Sequence, residues 1–118
     1  MSPSCPRFIL LFLDGVGLGP AGSANPLAAD AAMPWLMAWL NYPLVLGRQT
    51  DAPQRLFKAI DATLQVPGLP QSATGQATLY TGCNASQFLG RHQTGFANGA
   101  LRPLITAKGV AFKYHPHK

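Results

Sequence analysis

Residues 7 to 14 read Arg-Phe-Ile-Leu-Leu-Phe-Leu-Asp, a continuous apolar run from Phe8 to Leu13 between a cation and a carboxylate. Such a run, closed by Asp14-Gly15, is the pattern of a strand buried on both faces, as in a parallel sheet. It would deliver Asp14 to the carboxyl end of the strand, where ligands of open α/β sheets bind. A carboxylate there is placed to hold a hard or borderline cation. The same Asp-Gly step is also an ordinary turn, and both readings stay open.

The second informative stretch is Pro70-Gln-Ser-Ala-Thr-Gly-Gln-Ala-Thr-Leu-Tyr-Thr-Gly82. Residues 73 to 81 read as a helix with Gly82 as its C-terminal stop, and Ser72 stands at its start. As a helix cap, Ser72 is structural. As a nucleophile, it sits where unpaired N–H groups and the helix dipole favour an anion. A bound metal can deprotonate such a hydroxyl for attack on phosphorus. Gly75 lets a phosphate group or another backbone approach closely.

Between and around these stretches the pattern is coarser. Residues 1 to 6 form a lead-in, and residues 15 to 26 form a glycine-rich loop ending at Asn25-Pro26. A helix is expected over 27 to 40, with Pro34 in its first turn so that it begins near Ala32 or Met33. Residues 44 to 46 and 58 to 64 are expected as short strands, and 47 to 55 as loop. A further helical turn is expected over Ala85 to Leu89 and another helix over 99 to 107. Residues 105 to 118 form a divergent tail without regular structure. The fold class implied is α/β: a partial three-layer α/β/α domain with a short, mainly parallel sheet.

Composition narrows the function classes. The 118 residues suit one domain. Hydrophobic residues make up 47% and charged ones 11%, which argues against disorder. The net charge is +5, but the cations are scattered rather than clustered on one face, so a nucleic-acid partner is not expected. The six-residue apolar run is far short of the about 20 residues a membrane span needs. Cys5 and Cys83 form no paired spacing, and a cytoplasmic setting is expected. Gly17-Leu-Gly-Pro-Ala-Gly22 formally matches G-x-G-x-x-G, but Pro20 falls inside it and no acidic residue follows at the ribose position. His115-Pro-His117 is an H-x-H pair in a terminal tail. His92, in Gly-Arg-His, is either structural or a contact to an anion pocket.

Ser72-Ala-Thr-Gly-Gln-Ala-Thr-Leu-Tyr-Thr81-Gly82 resembles the nucleophile helix of the alkaline phosphatase superfamily, whose sulfatase and nucleotide pyrophosphatase branches place the nucleophile nine positions before a Thr-Gly pair. Ser72 and Gly75 also match the Ser-x-x-Gly element of the cofactor-independent phosphoglycerate mutases. Phe12-Leu-Asp14-Gly-Val-Gly17 is similar to the first metal-binding strand of mutases and phosphopentomutases. Asp61-Ala62, Val66 to Gln76, Thr81-Gly-Cys-Asn-Ala85 and Leu89-Gly-Arg-His92 resemble motifs of the bacterial metalloenzyme-domain proteins. The resemblance runs from about Arg7 to Leu104.

It implies metal-dependent phosphoryl transfer or phosphate-ester hydrolysis on a phosphorylated or sulfated small molecule. It implies two divalent ions, Mn or Zn, with Asp14 and Ser72 as ligands and Ser72 as the attacking oxygen. Gly75, Asn84, Arg91 and His92 then face the substrate. Gln76 stands where sulfatases carry Arg and mutases His. The remaining ligands of the family lie in Asp-x-x-x-His and Asp-His settings, and neither occurs here. Two ions need about six protein donors, against four Asp, no Glu and three His in this chain. The expectation is a truncated or frame-altered N-terminal portion of such an enzyme that lacks most metal ligands. The alternative is a catalytically inactive remnant or interaction module.

Overall fold

A computed structural model describes residues 8–29 and 33–111. The lead-in 1–6, Asp30, His115 and His117 lie outside the described residues. The chain divides into two compact units, Met1–Ala59 and Ile60–Lys118.

In the first unit, the glycine loop closes on a 3-10 turn at Pro26–Ala28, capped by Asn25, whose side chain accepts from Leu27 N–H at 3.0 Å. Helix α1 spans Pro34–Leu40. Pro34 occupies the first turn, where its missing N–H costs nothing. Asn41 ends the helix in the left-handed conformation at φ 67°, its N–H bonded to the Met37 carbonyl. Residues 44 to 46 contribute an isolated parallel bridge from Val45 to Gly19 rather than a strand.

The sheet expectation is corrected. Among the described residues the sheet is a two-stranded antiparallel hairpin, β1 Thr50–Ala52 with β2 Arg55–Phe57, registered Thr50 to Phe57, Asp51 to Leu56 and Ala52 to Arg55. Strand β1 and the turn fall in the segment 47 to 55 expected as loop, β2 begins at its last residue, and residues 58 to 64 hold no strand. Non-local contacts favour it. The Tyr42 hydroxyl bonds the Thr50 hydroxyl, and Arg55 donates to the Trp39 carbonyl. The rings of Tyr42 and Phe57 pack at 5.8 Å, and the Arg48 guanidinium lies 5.9 Å from the Tyr42 centroid.

Phe8 to Leu13 form no strand. Their side chains are largely exposed, Phe8 at 84% and Ile9 at 90%. The physical reason is the missing ladder: a strand exists only against a neighbour, and no neighbouring strand is paired to this run among the described residues.

The second unit is helical. Helix α2 spans Ser72–Thr81, α3 Ala85–Leu89 and α4 Arg102–Lys108. Both α2 and α3 end on glycine at φ 68°, Gly82 and Gly90, where a Cβ would be strained. Helix α4 extends into the segment expected as an unstructured tail. Ala73 and Ala77, one turn apart on α2, join Ala85 and the fully buried Leu101 in a small core flanked by Leu89, Leu104 and Ile105. The alanines let the helices approach closely, and Leu101 supplies most of the apolar volume.

Candidate functional site

Helix α2 is held by its threonines. Thr78 Oγ1 donates to the Thr74 carbonyl at 2.8 Å and accepts from Ala85 N–H at 3.0 Å. Thr81 Oγ1 donates to the Ala77 carbonyl at 2.6 Å and accepts from Cys83 N–H at 3.2 Å. Thr74 Oγ1 donates to the Gln71 carbonyl and accepts from Gln93 N–H, each at 3.3 Å. Each hydroxyl thus satisfies a helix carbonyl and captures the amide of another segment. The spacing 74, 78, 81 puts all three near one face, a signal already present in the sequence.

Ser72 is the first helical residue, half-buried, with Gln71 at the N-cap position. The neighbouring Ala73 N–H is bonded to the Gln93 carbonyl at 3.2 Å, and Gly75 N–H to the Gln71 carbonyl at 2.9 Å. The backbone of Gln93 therefore covers part of the helix N-terminus. Its side-chain Nε2 donates to the Phe96 carbonyl at 3.0 Å, while its buried Oε1 has no partner among the described residues. A Cβ built at Gly75 would meet nothing within 4 Å outside the helix's own backbone, so the space beside it is open.

Asn84 and His92 converge on one loop. Asn84 caps α3, accepting from Gln87 N–H at 3.0 Å, and its Nδ2 donates to the Leu64 carbonyl at 2.7 Å. His92 Nε2 lies 3.0 Å from the Val66 carbonyl, and Nδ1 lies 3.2 Å from the hydroxyl of the fully buried Ser86. A carbonyl only accepts, so Nε2 carries the hydrogen, and in the neutral ring Nδ1 then accepts from Ser86. Both nitrogens are engaged within the fold.

The loop they grip is strained. Leu64 and Gln65 have φ of 53° and 60°, a conformation that costs an L-residue roughly 1–2 kcal/mol. From the other side Asp61 accepts from Thr63 Oγ1 at 2.6 Å, Thr63 N–H at 2.9 Å and Gln65 N–H at 3.3 Å. The Thr63 hydroxyl first, then these amides, hold the exposed Asp61 carboxyl below its ordinary range. Gly68 follows at φ 112°, where a Cβ would come to 3.4 Å from His92 Cδ2. The chain then runs directly into Ser72, so Asn84 and His92 position the segment that delivers it. The Arg91 side chain is exposed, and its N–H bonds the Ser86 carbonyl at 3.1 Å.

Asp14 is exposed at a turn with Gly15 at φ 73°, in the first unit, whereas the other candidates lie in the second. Among the described residues no three His, Cys, Asp or Glu side chains group together as a metal site. Asp61 and His92 already spend their lone pairs or ring nitrogens on the loop. These donors do not fit a two-ion centre.

Residues between 15 and 27 line an open concavity of glycines and apolar side chains with Asn25 as its polar residue, and no charged residue among its lining. Only a three-residue 3-10 turn follows it, which is not the phosphate-cradling helix of a dinucleotide site. No helix among the described residues is long and apolar enough to cross a membrane. No family model matches the chain, and no curated protein or solved structure matches it significantly.

Proposed function

We propose that α2 presents Ser72 as the nucleophile of a phosphoryl-transfer half-site of the alkaline phosphatase type, acting on a phosphorylated or sulfated small molecule in a cytoplasmic setting. One observation carries the reading. The nine-residue step from Ser72 to Thr81-Gly82 coincides with a single helix, with Ser72 as its first residue and Gly82 as its cap. That end of the helix favours an anion, and a serine oxygen there can be directed at phosphorus. Asn84 and His92 serve the half-site by holding the 61–71 loop. The described donors do not make the two-ion centre of the resemblance, so the missing ligands would come from elsewhere.

Orthovanadate titrated by amide-resolved NMR is expected to shift Ser72 to Gly75 selectively, and Ser72→Ala should abolish the effect. No shift at these amides overturns the reading.

A second reading, a non-catalytic structural or interaction module, is favoured by the commitment of Thr74, Thr78, Thr81, Asn84 and His92 to internal hydrogen bonds. Hydrolysis of p-nitrophenyl phosphate with added Mn²⁺ or Zn²⁺ separates the two. Chelator-sensitive turnover lost in Ser72→Ala rules out the second reading. Vanadate binding without turnover leaves recognition without catalysis.

A further inference from the structure

Asn98-Gly99 lies in the turn that leads into α4, and both residues are exposed. The Asn98 side chain folds back over the following peptide: its Oδ1 accepts from Ala100 N–H at 3.0 Å, as in an Asx turn. Its main-chain carbonyl accepts from Leu101 N–H and Arg102 N–H, each at 3.1 Å. Between these bonds, the Gly99 N–H has no hydrogen-bond partner among the described residues. We propose that Asn98 is a self-modifying site: the Gly99 nitrogen attacks the Asn98 carboxamide, ammonia is lost, and the aspartyl and isoaspartyl products alter the start of α4.

The step balances with water and hydroxide as the co-reactants. Hydroxide takes the Gly99 amide proton, and the nitrogen lone pair forms a bond to Asn98 Cγ. The C=O electron pair moves onto Oδ1, at which the Ala100 N–H is already aimed, and a donor so placed stabilises the developing oxyanion. The pair then returns, the Cγ–Nδ2 bond breaks, and ammonia leaves with a proton from water. The product is a five-membered cyclic imide. The reacting groups belong to adjacent residues, so the attack is intramolecular, and glycine places no side chain beside its nitrogen. Water opens the ring at either carbonyl. Opening at Cγ leaves an aspartate, which keeps an acceptor for Ala100 and adds a negative charge ahead of α4, where the helix dipole favours it. Opening at the main-chain carbon leaves an isoaspartate, with an extra methylene carbon in the main chain. That displaces the carbonyl used by Leu101 and Arg102, and Leu101 is fully buried in the core. The isoaspartate therefore loosens the packing of α4.

Peptide mapping by mass spectrometry of the full chain, aged in heavy-oxygen water at mildly alkaline pH, tests this. Asn25, Asn41 and Asn84, followed by Pro26, Tyr42 and Ala85, are internal references. Asn98 should lose ammonia and take up heavy oxygen about tenfold faster than the references, and both products should appear. Gly99→Ala has room for its methyl group and should slow the reaction about tenfold. The contribution of the turn is read against chain unfolded in guanidinium chloride: the native rate should be at least as high. The isoaspartyl fraction should unfold at a lower denaturant concentration than Asn98→Asp, which keeps the normal main chain. A native rate no higher than those of the reference asparagines overturns the proposal. So does a faster rate in the unfolded chain, an unchanged rate in Gly99→Ala, or an isoaspartyl fraction as stable as Asn98→Asp.

Discussion

His92→Ala removes a side chain that ties Val66 to Ser86, and its cost follows from what it leaves behind. The Val66 carbonyl, on a buried residue, loses its donor at 3.0 Å, and the fully buried Ser86 hydroxyl loses its acceptor at 3.2 Å. A buried polar group left without a partner costs about 1–3 kcal/mol. The hydroxyl can rotate and the carbonyl cannot, so the sum is about 2–4 kcal/mol. A unit the size of residues 60–118 has a total stability of only about 3–9 kcal/mol. The variant should therefore lose a large part of its margin, read as a lower urea midpoint by circular dichroism. His92→Gln can still present an amide donor to Val66 and should recover about 1 kcal/mol. Ser86→Ala in the His92→Ala background should cost less than in wild type, by about 0.5 kcal/mol or more, because the pair is already broken. A His92→Ala variant within about 0.5 kcal/mol of wild type would refute the reasoning, and with it the positioning role of His92 for the loop before Ser72.

Two further outcomes follow from the same unit. Leu101→Ala empties most of the apolar volume between α2, α3 and α4 and should cost about 2–5 kcal/mol, enough to unfold much of the population in a thermal melt. Asp61 titrates below its ordinary range in the folded chain, so its stabilisation is fully present above about pH 4 and is lost as pH falls through the lower folded value. In Asp61→Asn that acid limb should disappear from the pH dependence of the urea midpoint.

The parts legible in the sequence are those fixed within a few residues. Pro34 starts α1 because its ring suits a first turn. Gly82 and Gly90 end α2 and α3 because only glycine takes φ near 68° without strain. The positions of Ser72 and Asp14 at a helix start and at a turn belong to the same class of local signal.

Tertiary structure decided what depends on a distant partner. The Phe8 to Leu13 run has strand character in isolation, yet a ladder needs a second strand, and none pairs with it among the described residues. The hairpin Thr50 to Phe57 is anchored by Tyr42 and Trp39, which no local pattern shows. His92 offers two nitrogens that could face an anion. Only the arrival of Val66, 26 residues away, and of Ser86 determined that both nitrogens hold the fold.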